Sequence, residues 1–182
     1  MEAVRYLLGY IFDLFTWALI LRVWLQLVRA DFYNPLSQFV VKVTNPVVIP
    51  FRRVIPSLGG LDLATVIIAI LVCFIKWGLF QLMAGGAIDI LITLLIAVLS
   101  VIKQSGFLLF MIMLVMAIMS WVVQTYNPTL AVFHQLTEPI LRPIRNIIPP
   151  IGGLDLSVLI AFLALNFINI FLSGIIPFWA AL

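Results

Sequence analysis

The sequence predicts an all-α membrane protein of two tandem repeats, with four transmembrane helices, or five if one ambiguous stretch crosses alone. Three observations lead there. Of 182 residues, 65% are hydrophobic and 9% charged, against about 25% charged in soluble domains, so the charge cannot clothe a water-facing surface. The apolar residues fall in runs near 6–28, 63–83, 99–123 and 156–176, each reaching the roughly 20 helical residues a bilayer requires. Residues 33–63 overlay residues 126–156 without a gap at an offset of 93, with 14 of 31 positions identical. Two copies therefore fill the chain, each a span, a basic interfacial segment and a second span.

The first run carries Asp13 and Arg22 and has no small-residue cleavage site, so it reads as a retained span rather than a signal peptide. Asn34-Pro35 and Asn127-Pro128 pair a capping side chain with the residue suited to a first helical turn. Behind them Leu36, Phe39, Val40 and Val43, and Thr129, Val132, Phe133 and Leu136, recur at helical spacing. Each copy should thus lay a short amphipathic helix in the interface plane. Thr44 and Thr137 read as second caps, followed by Pro46 and Pro50, or Pro139 and Pro143, which should keep the next piece short and bent.

Arg52, Arg53, Arg142 and Arg145 then stand at head-group level, as ordinary anchors or as a patch binding lipid phosphates or a partner's acidic loop. Gly59-Gly60 and Gly152-Gly153 supply the backbone freedom for re-entry, and Asp62 and Asp155 cap the following spans. A second reading has both aspartates meet Arg52 and Arg145 in a joint cation or proton site near a pseudo-two-fold axis.

Domain limits follow as 1–86 for the first repeat, 87–98 for an apolar linker and 99–182 for the second repeat. The linker's 12 residues would rise only about 18 Å as a helix, short of the ~30 Å hydrocarbon core, which favours a re-entrant or interfacial segment. The alternative breaks the helix around Lys103 to Gly106 and makes 87–102 a fifth span, inverting one repeat relative to the other. Positive loops prefer one side, which favours parallel copies with both motif loops cytoplasmic.

Inside the spans, Asp13 and Lys76 lie at matching depth, roughly 10 Å from the end opposite the loops, with Lys103, Asn166 and Asn169 near the same level. Together they could form one polar layer, as interhelical contacts or as a conduction site. Arg22 reads as snorkelling to the interface. The lone Cys73 excludes an intrachain disulfide. His134 falls opposite Val41 in the repeat, so the fold does not demand it. With no metal-ligand spacing and no nucleophile motif, an enzyme is the least supported class, and neither metal nor cofactor is expected.

Arg22 and Gln26, then Asp31, Asn34 and Pro35, then Thr44, Pro46, Pro50, Arg52, Arg53, Ile55, Pro56, Gly59, Gly60 and Asp62, resemble the YggT family block. Residues 137–157 repeat it. The resemblance covers nearly the whole chain and implies a multi-pass protein of the bacterial inner membrane, linked to osmotic-stress tolerance, potassium homeostasis and envelope integrity. Plastid relatives of that family resemble maturation factors for covalent haem attachment. No catalytic residues come with it, and a family does not supply a mechanism. The expected partners are membrane lipids, larger membrane complexes and further copies of the chain, with no nucleic acid. An accessory or assembly factor is the favoured reading, and a small ion transporter or channel component the alternative.

Overall fold

The computed structural model describes residues 2–31, 33–57, 59–122, 125, 127–148 and 155–182, the Trp121 side chain excepted. Gly152, Gly153 and Tyr126 fall outside the described residues, and with them the second diglycine turn. The order is α1 (Glu2–Leu27), α2 (Pro35–Arg52), α3 (Leu63–Met83), α4 (Ile90–Val122), α5 (Pro128–Ile147) and α6 (Ser157–Ile175), with a short 3-10 turn at Trp179–Ala181. Four of these helices, all but α2 and α5, are long and apolar enough to cross a membrane.

The four spans run alternately up and down, so α1 and α4 are parallel, and so are α3 and α6. Helices α2 and α5 therefore lie at one end of the bundle, here termed the crown. The loop ahead of α2 meets α5 there: the Asp31 backbone N–H donates to Gln135 Oε1 at 3.3 Å. Val40 of α2 and Val132 and Leu136 of α5 share one buried cluster with Ile20 and Leu25 of α1 and Leu108 and Ile112 of α4. Two smaller clusters draw their buried residues from single repeats, Leu19, Val48, Ile68 and Ala69 in the first, with Val101 packed against them, and Leu109, Met113, Met116, Leu141 and Ala161 in the second, with Trp24 packed against them. Copies related by inversion would place α2 and α5 at opposite ends, so the observed repeats are parallel.

Residues 90–102 do not form a span of their own but are helical and continuous with the third span. Helix α4 is continuous for 33 residues, about 50 Å at 1.5 Å per residue. It starts where Asp89 Oδ1 accepts the Ile92 N–H at 3.0 Å. Residues 90–98 are its opening turns, and Gly106 sits inside it without a break because a single glycine costs a helix only about 1 kcal/mol. The signal missed in the sequence was Asp89, an N-cap directly ahead of an unbroken apolar run.

Thr44 and Thr137 do not start new helices either. Their hydroxyls donate to the carbonyls four residues back, Val40 at 2.7 Å and Phe133 at 2.9 Å, and α2 and α5 continue through both prolines. Pro46, Pro50, Pro139 and Pro143 all lie on the exposed side, where the carbonyls they leave unpaired can be met by water or head groups. The caps at the helix starts are as the sequence indicates: Asn34 Oδ1 accepts from Ser37 N–H at 2.9 Å, and Asn127 Oδ1 from Thr129 N–H at 2.9 Å. Pro35 and Pro128 occupy the first helical turn. Gly59 and Gly60 adopt φ of +61° and +89°, which a Cβ would strain.

Candidate functional site

At the crown, each repeat is closed by an arginine–aspartate pin. Arg52 Nε donates to Asp62 Oδ2 at 3.0 Å and its NH2 reaches Gln26 Oε1 at 3.0 Å. Asp62 also caps α3 by accepting from the Thr65 N–H. Burial alone would push the Asp62 carboxyl up, but hydrogen bonds from Arg52 and Thr65 outweigh it and hold it below the ordinary carboxylate value. In the second repeat Arg145 Nε donates to Asp155 Oδ2 at 2.9 Å and NH1 to Glu138 Oε2 at 2.7 Å. Burial again opposes ionisation of Asp155, and the bonds from Ser157 and Arg145 again win, leaving it lowered. Among the described residues no hydrogen bond or ion pair links one pin to the other, and each aspartate is clasped by the arginine of its own repeat.

Arg22 does not snorkel. It is 5% exposed, donating from NH1 to Thr44 Oγ1 at 2.6 Å and Asn45 Oδ1 at 2.9 Å, with Nε 4.0 Å from Asp62 Oδ2. It straps α1 to α2. The repeat counterpart of Arg22 is Val115, and there Thr137 Oγ1 lies 3.3 Å from Met116 Sδ instead. Arg52 and Arg145 are thus committed internally. Arg53 and Arg142, with Arg29 and Lys42, are exposed and have no carboxylate within 4 Å among the described residues. The crown holds seven bases (Arg22, Arg29, Lys42, Arg52, Arg53, Arg142, Arg145) against four acids (Asp31, Asp62, Glu138, Asp155). The far end and the spans hold Arg5, Lys76 and Lys103 against Glu2, Asp13 and Asp89. All of the net +3 charge sits on the crown.

The intramembrane polar residues make two separate sets of contacts, with Lys103 and Gln104, consecutive on α4, belonging to different sets. Lys76 Nζ donates to both oxygens of Asp13, at 2.7 and 2.8 Å. Gln104, which the sequence reading passed over, donates from Nε2 to Asp13 Oδ1 at 2.9 Å and lies 4.0 Å from Cys73 Sγ. The Gln104 Oε1 atom is buried and has no hydrogen-bond partner among the described residues. A cleft of about 410 Å³ between α1 and α3, lined by Arg5, Tyr6, Tyr10 and Phe80, reaches this pair from the far end.

Lys103 and Asn169 serve elsewhere, since Lys103 Nζ donates to the Trp179 carbonyl at 2.7 Å and Trp179 Nε1 donates to Asn169 Oδ1 at 2.9 Å. They fold the 3-10 turn back over a groove of about 590 Å³ between α4 and α6, on which Asn166 also borders. Among the described residues no three of His, Cys, Asp and Glu gather as metal ligands.

The family model described as CCB3/YggT matches residues 1–83 and 95–176. The chain belongs to the CCB3/YggT family. The first matched segment covers α1 to α3, and the second runs from within α4 to the end of α6. Among relatives, a Vibrio alginolyticus protein described as "Uncharacterized protein in proC 3'region" is 50% identical over 182 residues, 98% of each chain. The "Uncharacterized protein YggT" of Escherichia coli K12 is 45% identical over 170 residues, 93% of this chain and 88% of that one. A Haemophilus influenzae relative is 34% identical over 169 residues, 93% of this chain and 91% of its own. No solved structure matches.

Proposed function

We propose that this family member is a non-enzymatic accessory factor of the bacterial inner membrane, whose crown is a docking platform for acidic head groups and acidic loops of larger membrane complexes. One observation carries the reading: Arg29, Lys42, Arg53 and Arg142 stand exposed on or beside the two amphipathic crown helices, with no carboxylate within 4 Å among the described residues. The clasps and the Arg22 strap make that platform rigid, which lowers the ordering cost of docking. Helical spans suit the inner membrane, since outer membranes carry β-barrels. The charge excess orients the crown to the cytoplasm by the positive-inside rule, and the envelope and osmotic-stress role follows from platform-assisted assembly.

Photo-crosslinkers placed at Arg53 and Arg142 in native membranes test this. Defined protein adducts that vanish when Arg29 and Lys42 are changed to Gln support the platform, and adducts to lipid alone overturn assembly. A second reading, ion translocation, is favoured by the Asp13–Lys76–Gln104 group at the foot of the far-end cleft. Purified protein in liposomes decides it, because flux no greater than in empty vesicles removes that reading.

A further inference from the structure

The repeat offset relates faces that pack inside the chain to faces that nothing covers. In the first repeat, α4 closes one side of the α1–α3 hairpin. Ser100 Oγ accepts from Trp77 Nε1 at 2.8 Å, and Gln104 meets Cys73. Ala97, Ser100 and Gln104, which share one face of α4, are buried. Subtracting 93 gives their counterparts on α1: Val4, Leu7 and Ile11. These are exposed by 54%, 61% and 55%.

Adding 93 to Cys73, Trp77 and Gln81 of α3 gives Asn166, Ile170 and Gly174 of α6. They too lie on one helix face, at i, i+4 and i+8, and all three are exposed. A Cβ added at Gly174 would meet nothing within 4 Å. Asn166 is exposed on the border of the α4–α6 groove and makes no hydrogen bond among the described residues, and an unpaired amide within a span is the kind of group that membrane helices bury against one another.

We propose that the α6 face of one copy is covered by α1 of a second copy, docking on the α4–α6 hairpin as α4 docks on the α1–α3 hairpin. The interface continues the internal one, using the same positions of the same repeat. Because the two repeats are parallel, the operation keeps every copy in the same membrane orientation. It is also heterologous, α1 to α6, so successive copies run head to tail in the membrane plane and end when the rotation closes a ring.

Cysteine crosslinking of the full chain in native membranes tests the arrangement. In a Cys73→Ala background, Ile11→Cys combined with Asn166→Cys, and separately Leu7→Cys with Ile170→Cys, are treated with oxidant and with a short bis-thiol linker. The expected result is a ladder of dimer, trimer and higher species from each pair, lost in every single variant. Coexpressing differently tagged Ile11→Cys and Asn166→Cys chains should give mixed dimers only.

Gln104→Cys with native Cys73 retained provides an internal bond showing that the chemistry works at this depth and that the fold is intact. With that control positive, the absence of a ladder means lipid or another protein covers the face, and overturns the proposal. Crosslinking of either single variant to itself means a two-fold interface and overturns it equally.

Discussion

The Asp13–Lys76 pair can be tested as a coupled unit. Its oxygen–nitrogen distances are 2.7 and 2.8 Å, so at an effective dielectric of about 20 the Coulomb attraction is about 6 kcal/mol. Desolvation of two ions in a span, at several kcal/mol each, offsets most of that. The pair as a whole should therefore add little stability over an apolar pair, while breaking it should cost about 3–5 kcal/mol. Asp13→Asn leaves an ammonium that is 9% exposed without its counter-ion but keeps an acceptor for Gln104. Lys76→Met leaves the carboxylate alone.

Each single variant should lose about 3 kcal/mol of unfolding free energy in mixed micelles, and the double variant about 1 kcal/mol, a coupling of about 5 kcal/mol that falls inside the roughly 1.5–7 kcal/mol measured for close charge pairs. Exchanging the charges, Asp13→Lys with Lys76→Asp, should recover most of what either half loses. Losses that add to within about 0.5 kcal/mol would show that the two groups act independently and would refute the reasoning.

The two clasps should differ in weight because the Asp62 side chain is 1% exposed and that of Asp155 is 38% exposed. Asp62→Ala removes a cap and leaves the buried Arg22 and the exposed Arg52 without their carboxylate, at about 3 kcal/mol, whereas Asp155→Ala should cost about 1 kcal/mol, as read from thermal unfolding in detergent. Both carboxyls are lowered from the ordinary 3.8. Their contribution is therefore complete above that value and lost as pH falls below it through the folded-state values, so Tm should drop over that acid window, and less so in Asp62→Asn. Arg22→Lys keeps the charge but cannot serve Thr44 and Asn45 with one planar group, and it should lose about 2 kcal/mol. Arg53→Cys and Arg142→Cys, each in Cys73→Ala, should react with an impermeant maleimide from the same side of the membrane. Labelling from opposite sides would overturn the parallel repeats.

Composition, run length and the 93-residue offset determined the class, the four spans, the capped starts of α2 and α5 and the Arg, Asp and Gly motif positions, because each is a local property of spacing and side-chain type. Whether α4 continues through 90–98 was written in Asp89 but obscured by an apolar stretch with no period to read. Tertiary structure alone decided how the charges pair. Arg52, Arg145 and Arg22 look like surface bases in the chain, and only the approach of α2 and α5 to their neighbouring spans gives them carboxylates and hydroxyls to meet. Lys76 and Lys103 are likewise alike in sequence, yet one faces Asp13 and the other the folded-back turn at Trp179, since rotation of each helix about its own axis is set by the helices packed against it.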